Sequence, residues 1–232
     1  MNEKKILAEN LLNSFKEMNK EAPLIFQKII KTLFEKDIGL FARRQIQPST
    51  NNISINGENI GTIEEIINDK NILIEKSFKL KKFNGFEINM ENIKIYIMLD
   101  VKNINKISEE FKNFNDIEKV KNYENNNILI ISLSELSKNQ QEVPIFYYYK
   151  DFLFNLTINK YVPHIEKLKT SELTNITVFS EKDIKDNNLP KIKRSDKLIK
   201  FYGFPKSSIC KISYKTNKIK DINLYCNFKI VI

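Results

Sequence analysis

Apolar positions along this chain change period several times, and each change marks an element. From Leu24 to Asp37, apolar pairs fall at Ile25/Phe26, Ile29/Ile30 and Leu33/Phe34, which predicts a helix with one buried stripe. Pro23 suits its first turn, where the missing N–H has no partner to lose. Gln45 to Gly61 is polar, carries Pro48 and Gly57, and reads as a loop or an insertion. Ile63 to Ile67 reads as a short helix and Ile72 to Leu80 as a strand. Asn92 to Leu99 alternates as a half-buried strand does. Ile107, Phe111, Phe114, Ile117 and Val120 then give helical spacing over Lys106 to Tyr123, Asn125-Asn126-Asn127 breaks it, and Ile128 to Leu133 is continuously apolar. A strand, a helix and a doubly buried strand in that order predict a right-handed parallel crossover.

A second unit follows. Leu189-Pro190 opens the basic extended stretch Lys191-Ile192-Lys193-Arg194. Ser195 or Asp196 can N-cap a short helix from Lys197 to Tyr202, and Gly203 can end it in the left-handed conformation. Ser208 to Tyr214 and Leu224 to Val231 alternate as two strands joined by the polar Lys215 to Asp221. The chain therefore reads as α/β (α+β) in two parts, residues 1–150 and 151–232.

Charge separates the same two parts. Residues 160–232 hold 16 Lys+Arg against 7 Asp+Glu, while residues 1–159 hold 22 of each, so the whole +9 excess lies on the tail. Such a tail suits an acidic protein surface or a nucleic-acid backbone, and also a solvated Lys-rich surface. No apolar run reaches the roughly 18 residues needed to span a bilayer, and Met1 to Phe15 lacks the core of a signal peptide. Cys210 and Cys226 sit on predicted strands of one hairpin. A disulfide is open to them, and buried free thiols are expected in an intracellular chain. With two cysteines and one histidine, no conventional four-ligand zinc site forms without carboxylates.

The tail motifs, in order and spacing, resemble the assembly domain shared by the fifth common subunit of eukaryotic RNA polymerases and its shorter archaeal counterpart. That family runs Leu-Pro-basic-Ile, Asp, a short helix ending aromatic-Gly, an apolar strand, then Tyr-x-x-Tyr-Arg-x-Val. Here these fall on Leu189-Pro190-Lys191-Ile192, Asp196, Tyr202-Gly203, Ile209 to Ile212, and Tyr225 to Val231. Upstream, Asp151 to Thr157 is similar to the family's Glu-Leu-Leu-Ile-Asn-Ile-Thr strand, and Tyr161-Val162-Pro163 to its Leu-Val-Pro. Departures are Lys197 where the family has Pro, Lys206-Ser207-Ser208 for a Lys-x-Gly turn, and His164 one position early, which suits a divergent member.

The resemblance implies a non-catalytic polymerase subunit with no cofactor and no metal of its own. It implies docking on the largest subunit through Val162, Pro163, Leu189, Pro190, Ile192, Phe201, Tyr202 and Gly203, with no homo-oligomer. Residues 1–150 resemble, more weakly, the family's jaw domain of restriction-endonuclease-like fold, which implies a eukaryotic or large-DNA-virus lineage. Ser134 to Glu142, with Ser134 and Lys138, then lies near downstream duplex DNA, which it contacts weakly within the complex. The implied location is intracellular: the nucleus for a cellular protein, the virion or virus factory for a viral one. Two alternatives stay open. Asp100-Val101-Lys102 with Glu87 or Glu91 has the spacing of an Mg²⁺-dependent nuclease, and the basic tail alone would suit a generic nucleic-acid-binding module. His164 is the only imidazole and no cysteine lies near it in sequence, so no triad stands out.

Overall fold

The computed structural model describes residues 23–69, 71–74, 81, 85–99, 101, 104, 123–169, 172, 188–214 and 225–232. Two sheets organise them. The larger has six strands: β1 (Asn52–Ile55), β2 (Glu58–Thr62), β3 (Gly85–Met90), β4 (Ile93–Met98), β5 (Ile128–Ser132) and β6 (Phe146–Tyr148). Their spatial order is β2-β1-β3-β4-β5-β6. Pairings are antiparallel up to β4 and parallel for β4/β5 and β5/β6.

The unbroken apolar run in β5 has a direct cause. Leu129 and Ile131 face a core with Phe26, Ile29, Ile30 and Leu33 of helix α1 (23–34), while Ile128 and Ile130 face a second core with Leu136, Val143 and Phe146. A strand covered on both faces has no polar side to show. The expected crossover helix over Lys106 to Tyr123 falls outside the described residues, apart from Tyr123.

Three sequence expectations give way. Part of the stretch read as a loop, Gln45 to Gly61, folds into the β1–β2 hairpin. Asn56 and Gly57 both take positive φ, at 55° and 93°, the two-residue turn that matches strand twist. Ile53, Ile55 and Ile60 bury from it. Asn71–Ile74 is helical, where a strand was expected. Asp151 to Thr157 is no strand either, but lies in two 3₁₀ turns, Tyr149–Phe152 and Leu156–Ile158. Asn155 caps the second turn by accepting from the Thr157 N–H, and its amide donates to the Ile38 carbonyl at 2.8 Å. The local bond from Thr157 to Asn155 holds the backbone off a ladder.

The smaller sheet comprises β7 (His164–Lys167), β8 (Lys191–Ile192), β9 (Ile209–Tyr214) and β10 (Tyr225–Val231), in the order β7-β9-β10-β8. Only β10/β8 is parallel. The β9/β10 register sets Cys210 opposite Lys229 and Cys226 opposite Ser213. Three residues of offset along a strand is about 10 Å, beyond the ~7 Å Cα limit for a disulfide, and the Cys210 thiol is buried and free.

Among the described residues one short helix (Lys197–Tyr202), called α6 after α2 (Leu40–Arg43), α3 (Ile63–Asn68), α4 (Asn71–Ile74) and α5 (Lys138–Gln141), covers this sheet. Asp196 caps it, its carboxylate accepting from the N–H of Leu198 and Ile199. Ile199 and Tyr202 pack on Ile165, Cys210, Ile212 and Val231. Replacing Asp196 with Ala should lower stability by about 1 kcal/mol, seen as a lower urea midpoint with an unchanged slope.

Candidate partner-docking surface

Helix α6 is buried on two sides, and that joins the sheets. Its Phe201, 4% exposed, packs into the larger domain's core, opposite the residues facing the small sheet. Gly203 ends the helix at φ 68°, as the sequence predicts. A β-carbon there would meet Arg44 Nε at 3.0 Å and Asn126 Oδ1 at 3.1 Å, so glycine serves both the turn and the fit.

Arg44 follows α2, which is held by buried Leu40 and Phe41. Its guanidinium donates from Nε to the Phe201 carbonyl at 3.1 Å, from Nη2 to the Lys200 carbonyl at 2.7 Å, from Nη1 to the Asn126 carbonyl at 3.2 Å, and to the Tyr147 hydroxyl. The last-turn carbonyls of a helix lack helical donors and carry partial negative charge, so one planar fork satisfies two of them across the seam. Tyr147 donates its hydroxyl to the Lys200 carbonyl at 2.8 Å. Burial raises its pKa, with Arg44 acting against that, so the phenol stays a donor.

Lys200 is the costly member. Its Nζ donates to the Gln141 carbonyl at 2.9 Å and lies 4.8 Å from the Tyr147 ring centre. Burial pulls its pKa down to about 7; Asp151 raises it, while Arg44 and Lys197 lower it further. Lys197 spends its own charge on Asp151 at 2.7 Å. Arg194, whose pKa burial lowers, stands 3.6 Å from Glu124, too far for a hydrogen bond, and reaches the Tyr123 carbonyl at 3.4 Å.

The residues expected at a docking surface are dispersed. Val162 and Pro163, half-buried, lead into β7 at one edge of the small sheet. Leu189, Pro190 and Ile192 lie at or beside β8, the opposite edge. Pro190 is exposed, Ile192 half-buried, and Leu189, 8% exposed, packs on Ile209 and Ile230. Phe201 and Tyr202 are buried inside the chain and Gly203 lines a groove beside Arg44. Sequence reasoning passed over Phe154, Ile158 and Tyr161, which stand 62%, 62% and 78% exposed just before β7. It also passed over the arginines. The chain uses Arg only at 43, 44 and 194, against 35 lysines, and that scarcity was the available signal, since a five-donor planar fork is not replaceable by an ammonium.

Ser134 is half-buried, its hydroxyl donating to the Leu99 carbonyl. Lys138 is exposed at the start of α5, whose Ser137 and Gln140 form a reciprocal cap. Of the nuclease candidates, Glu87 pairs with Lys81 and Glu91 sits in the β3–β4 turn. Asp100 and Lys102 lie outside the described residues. Among the described residues no group of three or more His, Cys, Asp or Glu could hold a metal ion, and no helix is long and apolar enough to cross a membrane.

A small mixed sheet with helix α6 is thus joined to the larger α/β sheet, chiefly through α6 and Arg44. Residues 154–226 match the family described as RNA polymerase Rpb5, C-terminal domain, so this part of the chain is Rpb5-like. No curated protein matches the chain.

Arg44→Met should lower stability by about 3 kcal/mol, because three carbonyls and a phenol lose a charged donor. Arg44→Lys should recover little of it, as urea titration would show.

Lys200 makes stability depend on pH. Unfolded, it titrates near its ordinary value; folded, near 7. Between these values the unfolded chain binds the extra proton, so stability rises with pH from about 7 toward 10. Below 7 the full burial penalty remains, on the order of a few kcal/mol. Lys200→Met should abolish that rise, measured as urea midpoints from pH 6 to 9.5.

Proposed function

We propose that this chain is a non-catalytic subunit of a multisubunit DNA-dependent RNA polymerase. Its C-terminal domain, from about residue 151, anchors on the largest subunit, and residues 1–150 form a jaw beside downstream duplex DNA. The Rpb5-like match over residues 154–226 carries this reading. The tail's +9 charge excess supports it, as does the exposed apolar run Phe154, Ile158 and Tyr161, of a kind that partners cover.

Accessibility supports a division of docking roles. Val162, Pro163, Pro190 and Ile192 present the two sheet edges to the partner, while Leu189 and Tyr202 support that sheet from within and Phe201 and Gly203 join its helix to the larger sheet. Lys138, solvent-exposed on α5, is the jaw residue free to meet phosphate, with Ser134 fixing the turn before it. The nucleotidyl-transfer centre belongs to other subunits, and the chain accompanies the polymerase wherever that assembly works.

Tagged full-length chain should co-purify with the two largest polymerase subunits. In the resulting transcription complex, Lys138→Glu should shorten lifetime on duplex DNA severalfold at low salt and less at high salt, because phosphate contacts are screened. Purification without polymerase subunits, or Mg²⁺-dependent DNA cleavage by the isolated chain, would overturn the reading.

A further inference from the structure

Among the described residues strand β7 ends its sheet, pairing with β9 alone. The Leu168 N–H donates to the Ile209 carbonyl at 2.9 Å, which makes Leu168/Ile209 a hydrogen-bonded pair of the antiparallel register. Alternation then points the N–H and C=O of Ile165 and Lys167 away from β9. Among the described residues nothing pairs with them. Beside this edge lies a groove of about 510 Å³, lined by all of β7, by Arg43 and Arg44 at the end of α2, and by Tyr202 to Pro205. An open strand edge in a groove is a template for another extended chain.

The charges in the groove select the kind of chain. Arg44 is committed to the α6 carbonyls, and Arg194 lies outside the groove beside Glu124. Arg43 lines the groove with its Nε buried and without a hydrogen-bond acceptor. A buried donor left unpaired calls for an acceptor supplied from elsewhere, and a guanidinium is suited to a carboxylate. Lys167 adds an exposed positive charge with no ion-pair partner among the described residues. Of the two acids at the groove, Glu166 is held by Lys211 at 3.0 Å and stands 4.0 Å from His164, leaving Asp37. The exposed Phe154, Ile158 and Tyr161 lie just before β7 in the chain.

We propose that the β7 groove takes an extended acidic segment of a partner chain. The segment adds as a strand to the outward groups of Ile165 and Lys167, and a carboxylate side chain seats on Arg43. This rests on the polymerase-subunit reading for the partner's identity, with the segment belonging to the largest subunit, but not for the chemistry.

The test uses the full-length chain and fluorescein-labelled, end-capped nonapeptides that alternate Val with Glu, with Gln or with Lys. In anisotropy titrations the Glu peptide should bind at least tenfold more tightly than the others and slow amide exchange at Ile165. Arg43→Glu should weaken it at least tenfold. Lys167→Pro should do the same, because that N–H lies outside the β7–β9 ladder and proline is tolerated on such an edge. Arg43→Glu leaves the backbone untouched, so the test survives should Lys167→Pro fail to fold. Equal binding of Glu and Lys peptides, no binding of any, or wild-type affinity in both variants would overturn the proposal. So would a dimer of the free chain that Lys167→Pro abolishes, since the edge would then belong to a second copy. If both variants co-purify with polymerase subunits at wild-type yield, the subunit reading stands and the groove assignment falls. If acidic peptides bind as expected but no polymerase subunit co-purifies, the groove assignment stands and the subunit reading falls.

Discussion

The relation between the two sheets depends on one guanidinium meeting the end of one short helix. Helix α6 has six residues, too few to be stable alone. It persists because Ile199 and Tyr202 pack on the small sheet, Phe201 packs into the large core, and Arg44 closes its last carbonyls. Lysine could not replace Arg44, since three carbonyls and a phenol must be reached in one plane. The buried Lys200 is tolerated beside it by virtue of the Gln141 carbonyl and the Tyr147 ring.

This arrangement has a mechanical consequence. Thr32 donates to the Phe152 carbonyl at 2.8 Å and Asn155 to that of Ile38, so the connection between the sheets is also pinned to the large domain. A partner gripping the small sheet would therefore grip a body continuous with the large one.

The scarcity of arginine takes on meaning in the same light. In a chain that otherwise uses lysine for positive charge, Arg44 and Arg194 lie where the domains meet and Arg43 lines the groove beside them. Arg44 has its acceptors within the chain. Arg43 Nε and Arg194 Nη1 are each buried without one, and only Arg43 lines the groove next to β7, whose outward groups at Ile165 and Lys167 have no partner among the described residues. The coincidence of an unpaired guanidinium Nε and an outward strand edge distinguishes this groove from an ordinary crevice.

Local chemistry makes much of the small sheet legible in the sequence. The Asp196 cap, the Gly203 stop, the β9 and β10 alternation and the motif order are properties of neighbouring residues, and they were enough to indicate the family now matched over residues 154–226. The continuous apolar run of β5 likewise announced a doubly covered strand. The Asn56-Gly57 turn was equally local and was passed over because the flanking polar residues masked the alternation of Ile53, Ile55 and Ile60. Burial partners were beyond reach. Phe201 and Tyr202 look alike in sequence, yet one enters the large core and the other faces the small sheet. The roles of Arg44 and Lys200 depend on residues up to 157 positions away, and no pattern along the chain encodes such a distance. The outer place of β7 among the described strands is a fact of strand order, which only the folded sheet decides.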